Sequence, residues 1–177
     1  MNPIKVLLFD DSRRIRDSLA ILFSSHPEFE WRGAFADASH ALEILDKHTP
    51  HVVLMDIEMP GISGIEATKA IKKKFPNQVV IMLTTFDDDD KICDAILSGA
   101  SGYILKNESL SYLVSIVKQG YEGKELISSG IATKVQRHDC YEYSASNGKP
   151  RILTQRDKEA LTQLAYGKSD STAEDIA

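Results

Sequence analysis

Five polar residues stand where short apolar runs end. Asp10 and Asp11 follow IKVLLF, Asp56 follows VVLM, Thr84 follows VVIML and Lys106 follows GYIL. Three carboxylates brought to one place repel each other and need a counter-charge. A hard cation held by one or two carboxylates and several waters is the usual answer, and Mg²⁺ fits it. Such a cation also neutralises charge on an incoming phosphoryl group. A carboxylate beside it can attack phosphorus and form an aspartyl-phosphate. The Lys106 ammonium and the Thr84 hydroxyl could then contact the phosphoryl oxygens, one as a cation and one as a hydrogen-bond donor. These residues supply every part that phosphoryl transfer needs, provided that the fold gathers them.

The pattern around them predicts such a fold. Short β-branched runs alternate with longer helical patterns over about the first 120 residues, which is the signature of an α/β protein with a parallel sheet. Ile4–Phe9, Trp31–Phe35, Val52–Met55, Val79–Leu83 and Gly102–Leu105 read as the strands. VVLM and VVIML are apolar on both faces, as central strands covered by helices must be. Ser12–Ser25 places Ile15, Leu19 and Leu22 at helical spacing, with Ser12 as the N-cap. Asp37–Lys47, Ser63–Phe75, Asp87–Ser98 and Ser109–Gly120 are the other helices. In a parallel sheet all the strand ends named above share one edge. With strand order 2-1-3-4-5 the order reverses between the first and third strands, and ligands bind at such a reversal. That arrangement brings Asp10, Asp11 and Asp56 together. Taken singly, Asp10 or Asp11 could be a helix cap, Asp56 a turn acid before Pro60-Gly61, and Tyr103 a packed core aromatic. The run Asp87–Asp90 reads as acids at a helix N-terminus, where they favour the dipole, rather than as a second metal site. The histidines (His26, His40, His48, His51, His138) share no ligand spacing.

The segments LLFDDS, VVLMDIEMPGISGIEA, VVIMLTTFDDDD and GASGYILK resemble, in this order, the receiver domain of bacterial two-component response regulators. The resemblance implies a flavodoxin-like (βα)5 fold with sheet order 2-1-3-4-5. It implies that Asp56 is the phosphoacceptor, served by a sensor histidine kinase or a small phosphodonor, with Mg²⁺ as cofactor. Asp10 and Asp11 match the acidic pair, Asp11 as the direct metal ligand and Asp10 acting more through water. Glu58 would give its backbone carbonyl to the metal. Thr84 matches the switch hydroxyl, Tyr103 its aromatic partner and Lys106 the lysine of the family. On this reading phosphorylation draws Thr84 inward, Tyr103 fills the vacated space and the chain becomes a homodimer. Its only reactions are Mg²⁺-dependent self-phosphorylation and autodephosphorylation of Asp56, whose rate Glu58 and Phe86 could tune. Asn107 departs from the family, which often has proline there in a cis bond; a cis bond before a non-proline residue is costly. A phosphatase of the haloacid dehalogenase type, with Asp10 as nucleophile, is the enzymatic rival. It needs an acid two residues on, where this chain has Ser12. A receiver acting alone, by binding another protein, is the second rival.

Three parts are expected: a receiver over residues 1–122, an extra helix and linker over 123–150, and an incomplete helix-turn-helix over 151–177. Ile127–Gln136 has helical spacing, and Arg137 to Pro150 is polar and closes on Asn147-Gly148-Lys149-Pro150. LTQRDKEALTQLAYGKS resembles the opening of the LuxR-type helix-turn-helix of NarL/FixJ transcription regulators. Thr154 and Asp157 read as a capping box with Asp in place of Glu or Gln, and Leu161, Leu164 and Ala165 continue a helical face to Gly167. The recognition helix that follows in that family does not occur before Ala177. No residue is therefore assigned to DNA, and DNA binding is expected of a full-length protein rather than of these residues.

Composition agrees. A chain of 177 residues with 42% hydrophobic content can bury one good core and a small second one. A net charge of -5 argues against a broad nucleic-acid footprint. MNPIKVLLFDD reads as a first strand rather than a signal peptide, and no run is long enough to span a bilayer. Cys93 and Cys140 lie far apart without metal or redox spacing, which suggests a reduced, cytoplasmic chain.

Overall fold

The computed structural model describes residues 2–84, 94–95 and 98–124, and the backbone of 126–127, 141–143 and 150–152. Strands β1 (Ile4–Phe9), β2 (Phe29–Phe35), β3 (Val52–Asp56), β4 (Val79–Thr84), β5 (Gly102–Leu105) and β6 (Leu126–Ile127) form one sheet in the order β2-β1-β3-β4-β5-β6. All its pairings are parallel. The expected order 2-1-3-4-5 is thus present, with one strand more.

Alternate strand residues part into two cores, because successive side chains point to opposite faces. Leu7, Phe9, Val53, Met55, Val80, Met82, Tyr103 and Leu105 face one way. They meet Ala41 and Leu45 of α2 (Ala41–His48) and Ile65, Ala67 and Ile71 of α3 (Gly64–Lys74). Val6, Leu8, Val52, Leu54, Ile81, Leu83 and Ile104 face the other way. They meet Leu19 and Phe23 of α1 (Arg13–Ser24) and Leu113, Ile116 and Val117 of α4 (Leu110–Tyr121). Every residue of β3 is buried, as a strand covered on both faces requires.

Local chemistry sets the helix starts. Ser63 caps α3 in a full capping box: its hydroxyl accepts from Glu66 N–H at 3.2 Å, and the Glu66 carboxylate accepts from Ser63 N–H at 3.2 Å. Ser63→Ala is expected to lower stability by about 1 kcal/mol, read as a lower urea midpoint with an unchanged slope. Ser109 caps α4 through Tyr112 N–H. Ser12 holds the N-cap position of α1, but its hydroxyl makes no cap bond. Its own N–H is taken by Asp10 Oδ1 at 2.8 Å, and this Asx turn closes the strand–helix corner. The second helix starts at Ala41 rather than Asp37, because the Asp37 carboxylate accepts from Ser39 N–H and makes a turn instead. β2 begins at Phe29, before Trp31. Pairing slips between Val6 and Leu7, where Gly33 at φ 129° fits a bulge.

Two expectations on the C-terminal side are corrected. Ile127, expected to open a helix, pairs with Tyr103 in β6, where two apolar residues cover the edge of β5. In the expected polar linker, β7 (Tyr141–Tyr143) pairs antiparallel with β8 (Pro150–Ile152), which runs two residues into the segment expected to be helix-turn-helix. Asn147-Gly148 between them is a hairpin signal that a linker reading passes over. The helical pattern after Ile127, the capping box at Thr154 and Asp157, and Leu161 to Gly167 lie outside the described residues. So do Cys93, Cys140, Phe86 and the acids Asp87–Asp90. Among the described residues no peptide bond is cis, so the Lys106–Asn107 bond is trans. No helix among them is long and apolar enough to cross a membrane.

Candidate functional site

The carboxyl edge of the sheet gathers the expected residues. Phe9 pairs with Met55 and Asp56 with Leu83, so Asp10 emerges beside Asp56. Thr84 pairs with Leu105, one residue short of Lys106. Carboxylate oxygens of Asp10, Asp11 and Asp56 lie within 4.8 Å of one another. Asp10 and Asp56 are buried and Asp11 faces solvent.

Lys106 bridges the two buried acids, with Nζ 2.8 Å from Asp56 Oδ2 and 3.0 Å from Asp10 Oδ2. The second contact is an ion pair, and among the described residues no well-directed hydrogen bond reaches Asp10 Oδ2. Lys106 thus faces the two buried acids, Asp10 and Asp56. Burial pushes the Asp56 carboxyl from 3.8 up to about 6; Lys106 pulls against that, and the Asp10 charge adds to it. Burial also disfavours the Lys106 ammonium, but its bonds to Asp56 and Asp10 outweigh this and hold it above its ordinary value. Two buried carboxylates share one ammonium, and Asp11 lies within 4.8 Å of them, a set of oxygens that could hold a further cation.

Thr84 is buried at the end of β4, and its carbonyl accepts from Lys106 N–H at 2.7 Å. Tyr103 is buried, and its hydroxyl donates to the Ala95 carbonyl at 2.5 Å. The ring expected to move inward on phosphorylation is therefore already inside. Glu58 N–H reaches Asp56 Oδ1 at 3.4 Å and folds the loop after β3 back over the carboxylate.

The Response regulator receiver domain family matches residues 6–118. The chain belongs to the response regulators. LiaR of Bacillus subtilis (strain 168), a transcriptional regulatory protein, is 34% identical over 168 residues, covering 94% of this chain and 79% of LiaR. The oxygen regulatory protein NreC of Staphylococcus epidermidis (strain ATCC 35984) is 31% identical over 175 residues, covering 94% of this chain and 80% of NreC. Among solved structures, the response regulator ChrA of a heme-sensing two-component system matches with a TM-score of 0.68 at 29% identity, over 96% of this chain and 78% of ChrA. This response regulator is thus a receiver domain of the two-component class, homologous to transcriptional regulators of the LuxR/NarL type.

Two residues of the response regulator's site went unread in its sequence. Arg16 Nη1 donates to the backbone carbonyls of Asp10 at 2.7 Å and Asp11 at 2.8 Å. Gly64 lies against the main chain of Asp56: a Cβ there would sit 1.8 Å from the Asp56 carbonyl oxygen. Its N–H donates to the Ile57 carbonyl at 3.0 Å, which closes the loop between β3 and α3. Arg16 looks like any surface arginine on a helix. The second glycine of PGISG was a visible signal, since an isolated glycine at a helix start can mark a close backbone approach.

Proposed function

We propose that this response regulator is switched by transfer of a phosphoryl group onto Asp56 from a sensor histidine kinase. The observation that supports it most is the Asp10–Asp11–Asp56 cluster, bridged by Lys106 at the reversal of strand order. One Asp56 oxygen attacks phosphorus, and the bond from phosphorus to the kinase histidine breaks. The bonding electron pair returns to the imidazole, and Asp56 becomes an acyl phosphate. Asp56 must be ionised to attack, and positive charge beside it favours that form: burial raises its carboxyl to about 6 even with Lys106 lowering it. Lys106 supplies part of that charge and is placed to pass from the Asp56 carboxylate to the phosphoryl oxygens. Mg²⁺, held by Asp11, Asp56 and the Glu58 backbone carbonyl with Asp10 acting through water, would supply the rest and neutralise the incoming group. Asp10 Oδ2, paired with Lys106 Nζ at 3.0 Å but without a well-directed hydrogen bond, fits such an arrangement. The Thr84 hydroxyl is the switch contact to the new phosphoryl group.

With Tyr103 already inside, phosphorylation stabilises an inward ring rather than creating one, a shift of population. We assign residues 1–122 to the receiver, 123–150 to the connection and 151–177 to the opening of a LuxR-type output domain. The output we assign is DNA binding, promoted by homodimerisation. Incubating the chain with acetyl phosphate and Mg²⁺ is expected to add one phosphoryl mass. EDTA and Asp56→Asn should each abolish the addition, and an Asp56→Asn protein that labels as fully as the parent would sink the proposal.

A further inference from the structure

We infer that Arg16 is a positioning residue for the acidic pair, setting the cation affinity of the site without touching the cation. The inference rests on the proposed Mg²⁺ site and extends it to a residue outside the ligand set. A single Arg16 nitrogen donates to two consecutive carbonyls, those of Asp10 and Asp11, at 2.7 and 2.8 Å. On the other side of the same corner, Ser12 N–H donates to Asp10 Oδ1 at 2.8 Å. The Asp10 N–H donates to the Phe35 carbonyl of β2 at 3.0 Å. The corner is therefore held through the backbone by Arg16 and Phe35 and through the Asp10 carboxylate by Ser12, and among the described residues Arg16 is the side chain that bonds to both acids.

Two adjacent carbonyls beside three carboxylates would otherwise add to the negative field and leave the corner free to rotate. Mg²⁺ demands near-ideal octahedral geometry, so small rotations of its ligands weaken it. Groups that hold metal ligands in place typically change affinity by about 10- to 100-fold when removed.

The sign of the effect separates positioning from simple charge. A nearby arginine repels a cation, so if Arg16 acted only as a charge its removal would tighten Mg²⁺ binding. Positioning predicts the opposite. Mg²⁺ titration calorimetry on the whole chain, well below the melting temperature, is expected to show Arg16→Met binding about 10- to 100-fold more weakly than the parent. Lys118→Met breaks the distant Lys118–Glu28 pair and should leave the Mg²⁺ Kd unchanged, as a control for general destabilisation. An Arg16→Met protein that binds Mg²⁺ as tightly as the parent, or more tightly, overturns the inference. If Arg16→Met does not fold, Arg16→Gln is read in the same way. A parent that binds no Mg²⁺ overturns the proposed metal site itself, a different result from a parent that binds and a variant that binds equally.

Discussion

Gly64→Ala is expected to unfold at a much lower urea concentration than the parent, with a loss of at least about 3 kcal/mol. The change adds one methyl group at the first turn of a helix, where alanine is normally favoured. The loss comes from contact alone. A Cβ at Gly64 would lie 1.8 Å from the Asp56 carbonyl oxygen, 2.8 Å from its carbon and 3.0 Å from Met55 Cγ. The first of these is backbone and cannot swing aside. Either α3 moves away from β3, opening the core around Ile65 and Ile71, or the backbone of Asp56 turns and takes the carboxylate with it. Gly123→Ala is the comparison: φ there is 81°, but a Cβ meets nothing within 4 Å. It should cost only about 1 kcal/mol, the strain of a left-handed residue. Equal losses at the two sites would show that the approach of α3 to β3 is looser than described.

Asp56→Asn is expected to melt above the parent at pH 8 in EDTA, and to lose that advantage as the pH falls towards 4. The Asp56 carboxyl is raised from 3.8 to about 6, mainly by burial. Its contribution to stability is therefore fully present below pH 4 and lost as the pH rises through 6. The full difference is on the order of 3 kcal/mol. It is an upper bound for the variant, because asparagine also gives up the ion pair with Lys106. Saturating Mg²⁺ should reverse the order, since binding to the folded parent stabilises it while the variant lacks one carboxylate. Melting curves at pH 5 and pH 8, with Mg²⁺ and with EDTA, check all four cases. A gap independent of pH would mean that the Asp56 charge is not what destabilises the metal-free site.

The residues at the strand ends were legible because a buried parallel strand leaves a strong trace. VVLM and VVIML are continuous apolar runs, and the polar residue that ends each must emerge at the sheet edge. Knowing the alternation of strands and helices then gathers Asp10, Asp11, Asp56, Thr84 and Lys106 without any distance. What could not be read depends on contacts through space. Arg16 has the helical spacing of an exposed charge, and nothing in its neighbours says that its side chain turns back to the corner. Gly64 could be noticed as a glycine, but its contact with Asp56 exists only once α3 packs on β3. The Ser12 hydroxyl makes no cap bond, and Ser12 enters the corner through its own N–H, which Asp10 Oδ1 accepts. Leu126 and Ile127 were too short a run to declare a strand, because their partner is supplied by the open edge of β5. Tyr141–Tyr143 was masked by its polar surroundings.

The pairing of β6 with β5 also bears on where this molecule can be divided. β5 has only four residues, and without β6 the backbone groups on its outer side would lie open beside Tyr103. Such an edge is a template on which a strand of another molecule can add. Trimming at Glu122, where helix α4 has just ended, looks natural from the sequence, yet it strips this cover from the sheet. An excised receiver that extends through Ile127 keeps the cover over Gly102 and Tyr103, and self-association measured on a shorter piece would report the cut as much as the signal.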